Sequence, residues 1–172
     1  MSDQFDRARE GGRQADGSDS CQFLTFTVDG AEYGVDIMGV REIKGWTETT
    51  RLPNAPDYMR GVMNLRGLIV PIFDMRCRFT QVATDADAKH VIIILAVGER
   101  HIGILVDSVS DILTLHQSEV KPAPPMKMHE GGGYVGGLIS IDQRMVVVLT
   151  VDKLFSAKDI GENYPAATPN AA

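Results

Sequence analysis

The chain is poor in the residues that usually announce chemistry. Its 172 residues include two cysteines, four histidines and one tryptophan. Cys21 and Cys77 stand in no metal-ligand spacing, and a chain of this length buries enough surface to fold without a disulfide framework. His90, His101, His116 and His129 fall in no HExxH-type pattern. His129-Glu130 beside a glycine run comes nearest to a metal site, but without a spaced second ligand it reads as a solvated loop. The run Gly131–Gly133 is followed by neither a Lys-Ser/Thr pair nor a helix start, which removes a phosphate cradle. No catalytic residue, metal ligand or cofactor is expected, so binding is favoured over turnover.

Long apolar runs are missing too. Val91–Val97 is strand-length, far short of the ~20 residues a membrane-spanning helix needs, and residues 1–20 lack the apolar core of a secretory signal. A reducing cytoplasm is the expected compartment, with any membrane contact made indirectly through another protein. An excess of basic charge is also absent. The net charge is −6 and the 17 Lys and Arg are scattered, which argues against a nucleic-acid partner.

What is present is a repeat. Sliding Phe23–Ile43 onto Ile92–Ile112 matches Gly34 to Gly103, Val40 to Val109, Glu42 to Asp111 and Ile43 to Ile112, a constant shift of 69 residues. A second echo relates Gly61–Asp74 to Gly137–Asp152, with an offset that drifts from 76 at Gly61 and Gly137 to 78 at Asp74 and Asp152. Two similar β-rich modules in tandem suit a binding scaffold, because each module and the groove between them can hold a different partner.

Turn residues punctuate the repeat. Asp29-Gly30, Gly98-Glu99, Arg66-Gly67 and Asp142-Gln143 each separate apolar runs, which predicts four hairpins and little helix. Pro71 within Leu68–Phe73 predicts an edge strand or a bulge, since proline cannot donate to a ladder. Residues 1–20 read as a disordered tail, 156–172 as a flexible one, and Thr80–Ala88 as a polar linker between a first barrel at about 21–80 and a second at about 89–155, with strand sharing allowed. Lys121–Gly133, rich in proline and glycine, reads as an irregular surface loop.

Several elements occur in a recognisable order: Tyr33-Gly34-Val35-Asp36-Ile37, Val40-Arg41-Glu42-Ile43, Leu52-Pro53, Gly61-Val62-Met63-Asn64-Leu65-Arg66-Gly67, Val70-Pro71-Ile72 and Asp74-Met75-Arg76. The second half adds Gly103-Ile104-Leu105-Val106-Asp107 and Val109-Ser110-Asp111-Ile112-Leu113. In these motifs, over about residues 21–155, the chain resembles the CheW family of bacterial chemotaxis coupling proteins. Met75 stands where leucine is usual. The resemblance implies an all-β fold of two pseudo-symmetric five-stranded SH3-like barrels packed side by side, with short helices. It also implies a noncatalytic adaptor that joins the cytoplasmic tip of methyl-accepting chemoreceptors to the regulatory domain of a CheA-type histidine kinase. Carried over residue by residue, it selects Val40, Glu42, Gly61, Asn64, Arg66 and Ile112 as receptor-facing and His90 and Val91 as kinase-facing. Read from the residues alone, Val40 and Ile112 equally suit a core, Gly61 a backbone bend, and Glu42 with Arg66 an internal ion pair. The same scaffold serving a surface-motility or developmental array is the alternative.

Overall fold

The computed structural model describes residues 19–124 and 133–155. The tails, apart from Asp19 and Ser20, and residues 125–132 with His129 lie outside the described residues. The first half runs β1 (Ser20–Val28), β2 (Ala31–Asp36), a 3₁₀ turn, β3 (Val40–Gly45), β4 (Met59–Leu65), β5 (Leu68–Asp74) and the short helix α1 (Met75–Thr80). The second runs β6 (Val91–Val97), β7 (Arg100–Val106), β8 (Ser108–His116), a 3₁₀ turn, β9 (Val120–Lys121), β10 (Val135–Ile141), β11 (Arg144–Leu149) and the single turn α2 (Val151–Leu154). All four hairpins form at the turns the sequence marks. In three of them both central residues have positive φ: Asp29 and Gly30, Arg66 and Gly67, Asp142 and Gln143. That backbone twist matches the right-handed twist of the flanking strands.

The shift of 69 carries β1, β2 and β3 onto β6, β7 and β8. The second echo needs correction. Met63 pairs with Val70 and Ile139 with Val146, while Leu65 pairs with Leu68 and Ile141 with Arg144. The offset is therefore 76 along the whole hairpin, and the counterpart of Asp74 is Thr150 rather than Asp152.

The strands assemble reciprocally across the halves. One sheet has the order β8-β1-β2-β11-β10-β9, the other β3-β6-β7-β5-β4, so each half lends its first hairpin to the other half's sheet. The joints match. Ile72 lies beside Gly103 in a parallel ladder and Val148 beside Gly34 in its copy, while Ile43 faces Ile93 and Ile112 faces Leu24 in the antiparallel ones. Each sheet curls closed as an SH3-like barrel. In one, Thr50 bridges back from the end of β3 to Val62 of β4; in the other, β9 does this for β10.

Alternation along the strands builds three cores. Ile92 and Ile94 join Val70, Ile72 and Leu105 inside one barrel; Phe23, Ile139, Val146 and Val148 fill the other. The opposite strand faces, among them Leu24, Phe26, Val35, Ile93, Leu95, Ile102 and Ile104, meet in a cluster between the barrels. Residues of period two buried on both faces are what sandwiched strands require. Seven of the chain's eleven aromatic residues gather here. Phe26, Tyr33, Phe79 and Tyr134 form one ladder of rings, and Tyr58, Phe73 and Phe155 another. Arg78 joins the two, its guanidinium 5.4 Å from the Tyr58 ring and 5.3 Å from the Tyr134 ring.

Pro71 does not mark an edge. β5 lies between β7 and β4. Val62, opposite Pro71, exchanges both backbone hydrogen bonds with Thr50, so the Val62–Pro71 pair exchanges none and the proline nitrogen faces β7. The ladder to β7 begins only at Ile72. An interior strand thus accepts the proline because no partner stands opposite its missing N–H.

Candidate functional site

Val40, Glu42 and Ile43 all lie on β3, where alternation and the extra residue Arg41 at a register shift send them to different places. Val40 is half-buried against the cluster between the barrels. Ile43 faces the same way, since its ladder partner Ile93 belongs to that cluster, yet it is 46% exposed. Its repeat counterpart Ile112, opposite Leu24, is 50% exposed. Two isoleucines thus lie uncovered at equivalent borders of the central core, one on each barrel. Ile43 was missing from the candidate residues, although the repeat match to Ile112 pointed to it.

Glu42 faces the other way and pairs with Arg66 in the β4–β5 turn. β3 and β4 are the two ends of the strand order, so this ion pair spans the seam where the barrel closes. Asn64 spends its side-chain carbonyl on the turn, accepting from the Gly67 N–H at 2.7 Å. Gly61 is a backbone requirement. Its φ is +139°, and a Cβ there would lie 2.3 Å from the Thr50 carbonyl oxygen. Glu42, Asn64 and Arg66 are thereby gathered around one hairpin end, with Gly61 holding that hairpin against the Thr50 bridge.

His90 and Val91 lie elsewhere. His90 ends the connection between the halves, its Nδ1 3.1 Å from Asp87 and its Nε2 3.6 Å from Asp107. The Lys89 N–H, with a further contribution from His90, holds the Asp87 carboxyl below its ordinary value, against an opposing effect of desolvation. Asp107 accepts in turn from the Asp29 N–H at 2.8 Å, so His90 lies where the connection, the β7–β8 joint and the β1–β2 turn converge. Val91 opens β6, which runs between β3 and β7. β3 covers the side of β6 away from β7, so Val91 opens no free sheet edge.

Sequence reading also missed a buried polar lock beside the hairpin. Asp74, fully buried, accepts from the Cys77 N–H at the start of α1 (3.2 Å), from the Thr84 N–H (2.7 Å) and from the Thr84 hydroxyl (2.6 Å). Arg60 lies 3.7 Å from the same carboxylate, donates to the Thr84 carbonyl at 2.7 Å and covers the Trp46 ring at 5.0 Å. Arg60 is the extra residue at a register shift in β4, and bulges of this kind re-aim a side chain.

Among the described residues no group of three or more His, Cys, Asp or Glu is placed to hold a metal ion, and no helix is long and apolar enough to cross a membrane. The arrangement offers apolar borders, an ion pair and hydrogen-bonded turns, which are the means of protein recognition.

Comparison with known proteins gives a consistent picture. A family model described as the CheW-like domain matches residues 22–159. The chemotaxis protein CheW of Klebsiella aerogenes is 42% identical over 139 residues, covering 81% of this chain and 84% of that protein. The probable chemotaxis protein CheW of Rhizobium etli is 40% identical over 78% of this chain and 87% of its own length. Among solved structures, the scaffolding protein TtCheW from Thermoanaerobacter tengcongensis superposes with a TM-score of 0.73 at 26% identity, covering 81% of this chain and 94% of that one.

Proposed function

The chain belongs to the CheW-like family, and from that premise we propose that it is a noncatalytic cytoplasmic adaptor coupling methyl-accepting chemoreceptors to a CheA-type histidine kinase. The observation that carries this reading is the pair of exposed isoleucines, Ile43 and Ile112, at equivalent borders of the core between the barrels. A receptor tip is a helical hairpin. An amphipathic helix docks by laying apolar side chains against such borders, with charged neighbours setting its register. Val40 continues the apolar border, and Glu42, Asn64 and Arg66 form its polar neighbour. Gly61 acts through the hairpin's shape. His90 and Val91, with Val91 opposite Gly45 at the far end of β3 from Val40, are the kinase-facing choice. The protein reaches the membrane array only through its receptors.

The deciding experiment is kinase autophosphorylation in a mixture of receptor-bearing membranes and the cognate CheA-type kinase, with and without this protein. A strong rise only when all three are present, reversed by attractant, is the expected outcome. No binding to the kinase would overturn the reading. Binding without a rise would overturn the coupling role for that receptor set.

A further inference from the structure

The repeat lets each barrel mouth be compared with its copy. In the first half the face between β3 and β4 is filled from within. Trp46 packs on Val70, Ile72 and Ile92 beside Met63, Leu65 and Ala86, Arg60 lies over its ring, and the Glu42–Arg66 pair closes the rim. At the matching positions the second half has Leu115 for Trp46, Ile139 and Ile141 for Met63 and Leu65, Gly136 for Arg60, and Asp111 and Asp142 for Glu42 and Arg66. There the mouth is an open groove of about 460 Å³, lined by Leu113, Leu115, Ile139 and Ile141 with Glu119 and Lys121 at its margin. A ring has become a leucine, and the cation of the rim pair has become a second carboxylate.

We propose that this groove receives an extended segment of a partner protein, which inserts one aromatic side chain and sets an arginine or lysine between Asp111 and Asp142. The partner would supply in trans what Trp46 and Arg66 supply in cis. Two arguments carry this. First, the equivalent apolar floor is covered by an indole in the other barrel, so a ring is the shape that the frame accommodates. Second, Asp142 makes no ion pair among the described residues, and the nearby Arg144 is taken by Glu32 at 3.4 Å. The groove's own lining carries Glu119 and Lys121, while the repeat match sets Asp111 and Asp142 where the other half has Glu42 and Arg66, and a carboxylate in the place of that cation favours a cationic segment. Buried aromatic anchors and arginine are also the residues that dominate interface energetics. The inference stands apart from the receptor and kinase assignments.

The test is a titration of the full chain, methyl-labelled for NMR, with the peptide acetyl-Arg-Gly-Trp-amide. Saturable shifts at Leu113, Leu115, Ile139 and Ile141 are expected. Binding should weaken about tenfold or more in Leu115→Trp, which fills the mouth, and in Asp142→Arg, which restores the rim pair. The analogue acetyl-Asp-Gly-Trp-amide should bind weakly by the same measure. If Leu115→Trp fails to fold, Asp142→Arg decides alone. Shifts absent or confined to the Ile43 border, or equal binding by the wild type and Asp142→Arg, would overturn the proposal. So would shifts at the four groove methyls on raising the protein concentration without peptide, which would assign the groove to a second copy of the chain.

Discussion

The two halves share strand order, hairpin turns and reciprocal pairing, yet they differ beneath their short helices. In the first half, Asp74 caps α1 and holds the chain that follows, through Thr84, with Arg60 alongside. In the second half the cap of α2 is Thr150, which makes no side-chain hydrogen bond, and Gly136 replaces Arg60. A duplicated backbone therefore does not duplicate its polar interior. The helix that leads from one half of the chain to the other carries the lock, and the connection that Thr84 pins to Asp74 delivers the chain to β6, in the same sheet as β5.

The largest effect follows from breaking that lock. Asp74→Ala leaves Arg60 and the Thr84 N–H without their buried partner, and should lower the unfolding free energy by about 3–5 kcal/mol. Thr150→Ala at the matching position should lower it by less than about 0.5 kcal/mol, since no cap bond is lost. Urea denaturation of the two variants measures the difference, and equal losses would show that the halves are alike in this respect after all.

The glycines at the start of β4 and β10 give the next largest contrast. A Cβ on Gly61 meets backbone oxygen at 2.3 Å, with φ at +139°, whereas one on Gly137 meets the movable Val120 side chain at 2.7 Å and the Lys121 oxygen at 3.0 Å. Gly61→Ala should cost about 3 kcal/mol and Gly137→Ala about 1–2 kcal/mol. Thermal melts of the pair would reverse this order if the Val120 side of the second barrel were the more rigid.

These contrasts also mark what was legible beforehand. The hairpins were readable because Asp29-Gly30, Arg66-Gly67 and Asp142-Gln143 carry turn chemistry locally. The shift of 69 was readable because glycines and β-branched residues recur at fixed spacing. The exchange of hairpins was not, because pairing such as Ile72 with Gly103 is decided by burial across the whole molecule and leaves no local mark. Pro71 misled for the same reason, since whether a missing N–H matters depends on what stands opposite it. Of the candidate residues, Glu42 and Arg66 meet as the residues alone allowed, while the buried lock escaped because Asp74 and Thr84 look like surface polar residues in sequence.

A functional contrast comes next in size. Ile43→Asp and Ile112→Asp alter exposed side chains, so each should change stability by less than about 0.5 kcal/mol. Each should nonetheless weaken receptor coupling about tenfold or more, while kinase binding persists. Pull-downs with receptor-bearing membranes and with the kinase separate these outcomes. Loss from Ile112→Asp alone would make the second barrel the receptor side and break the symmetry of the reading. Arg66→Ala removes a pair whose arginine is 71% exposed, and should cost about 0–1 kcal/mol of stability while weakening receptor coupling more than kinase binding. Equal loss of both functions with an unchanged melt would count against separate surfaces.

The smallest expected effect lies inside the helices. α1 buries Cys77 at the position where α2 exposes Lys153. Burial, followed by the nearby Asp74 and Asp57 carboxylates and partly offset by Arg60, pushes the Cys77 thiol above its ordinary value of 9.0. The unfolded chain therefore releases this proton before the folded one does. The stabilising contribution is complete below pH 9.0 and is lost as pH rises from there through the folded value. Tyr33 and Cys21, also raised chiefly by burial, act in the same direction. Stability measured by urea from pH 8 to pH 10.5 should fall with a slope that Cys77→Ala reduces, whereas Lys153→Ala should leave it unchanged. An unaltered slope in Cys77→Ala would place the alkaline sensitivity in Cys21 and Tyr33 rather than beneath α1.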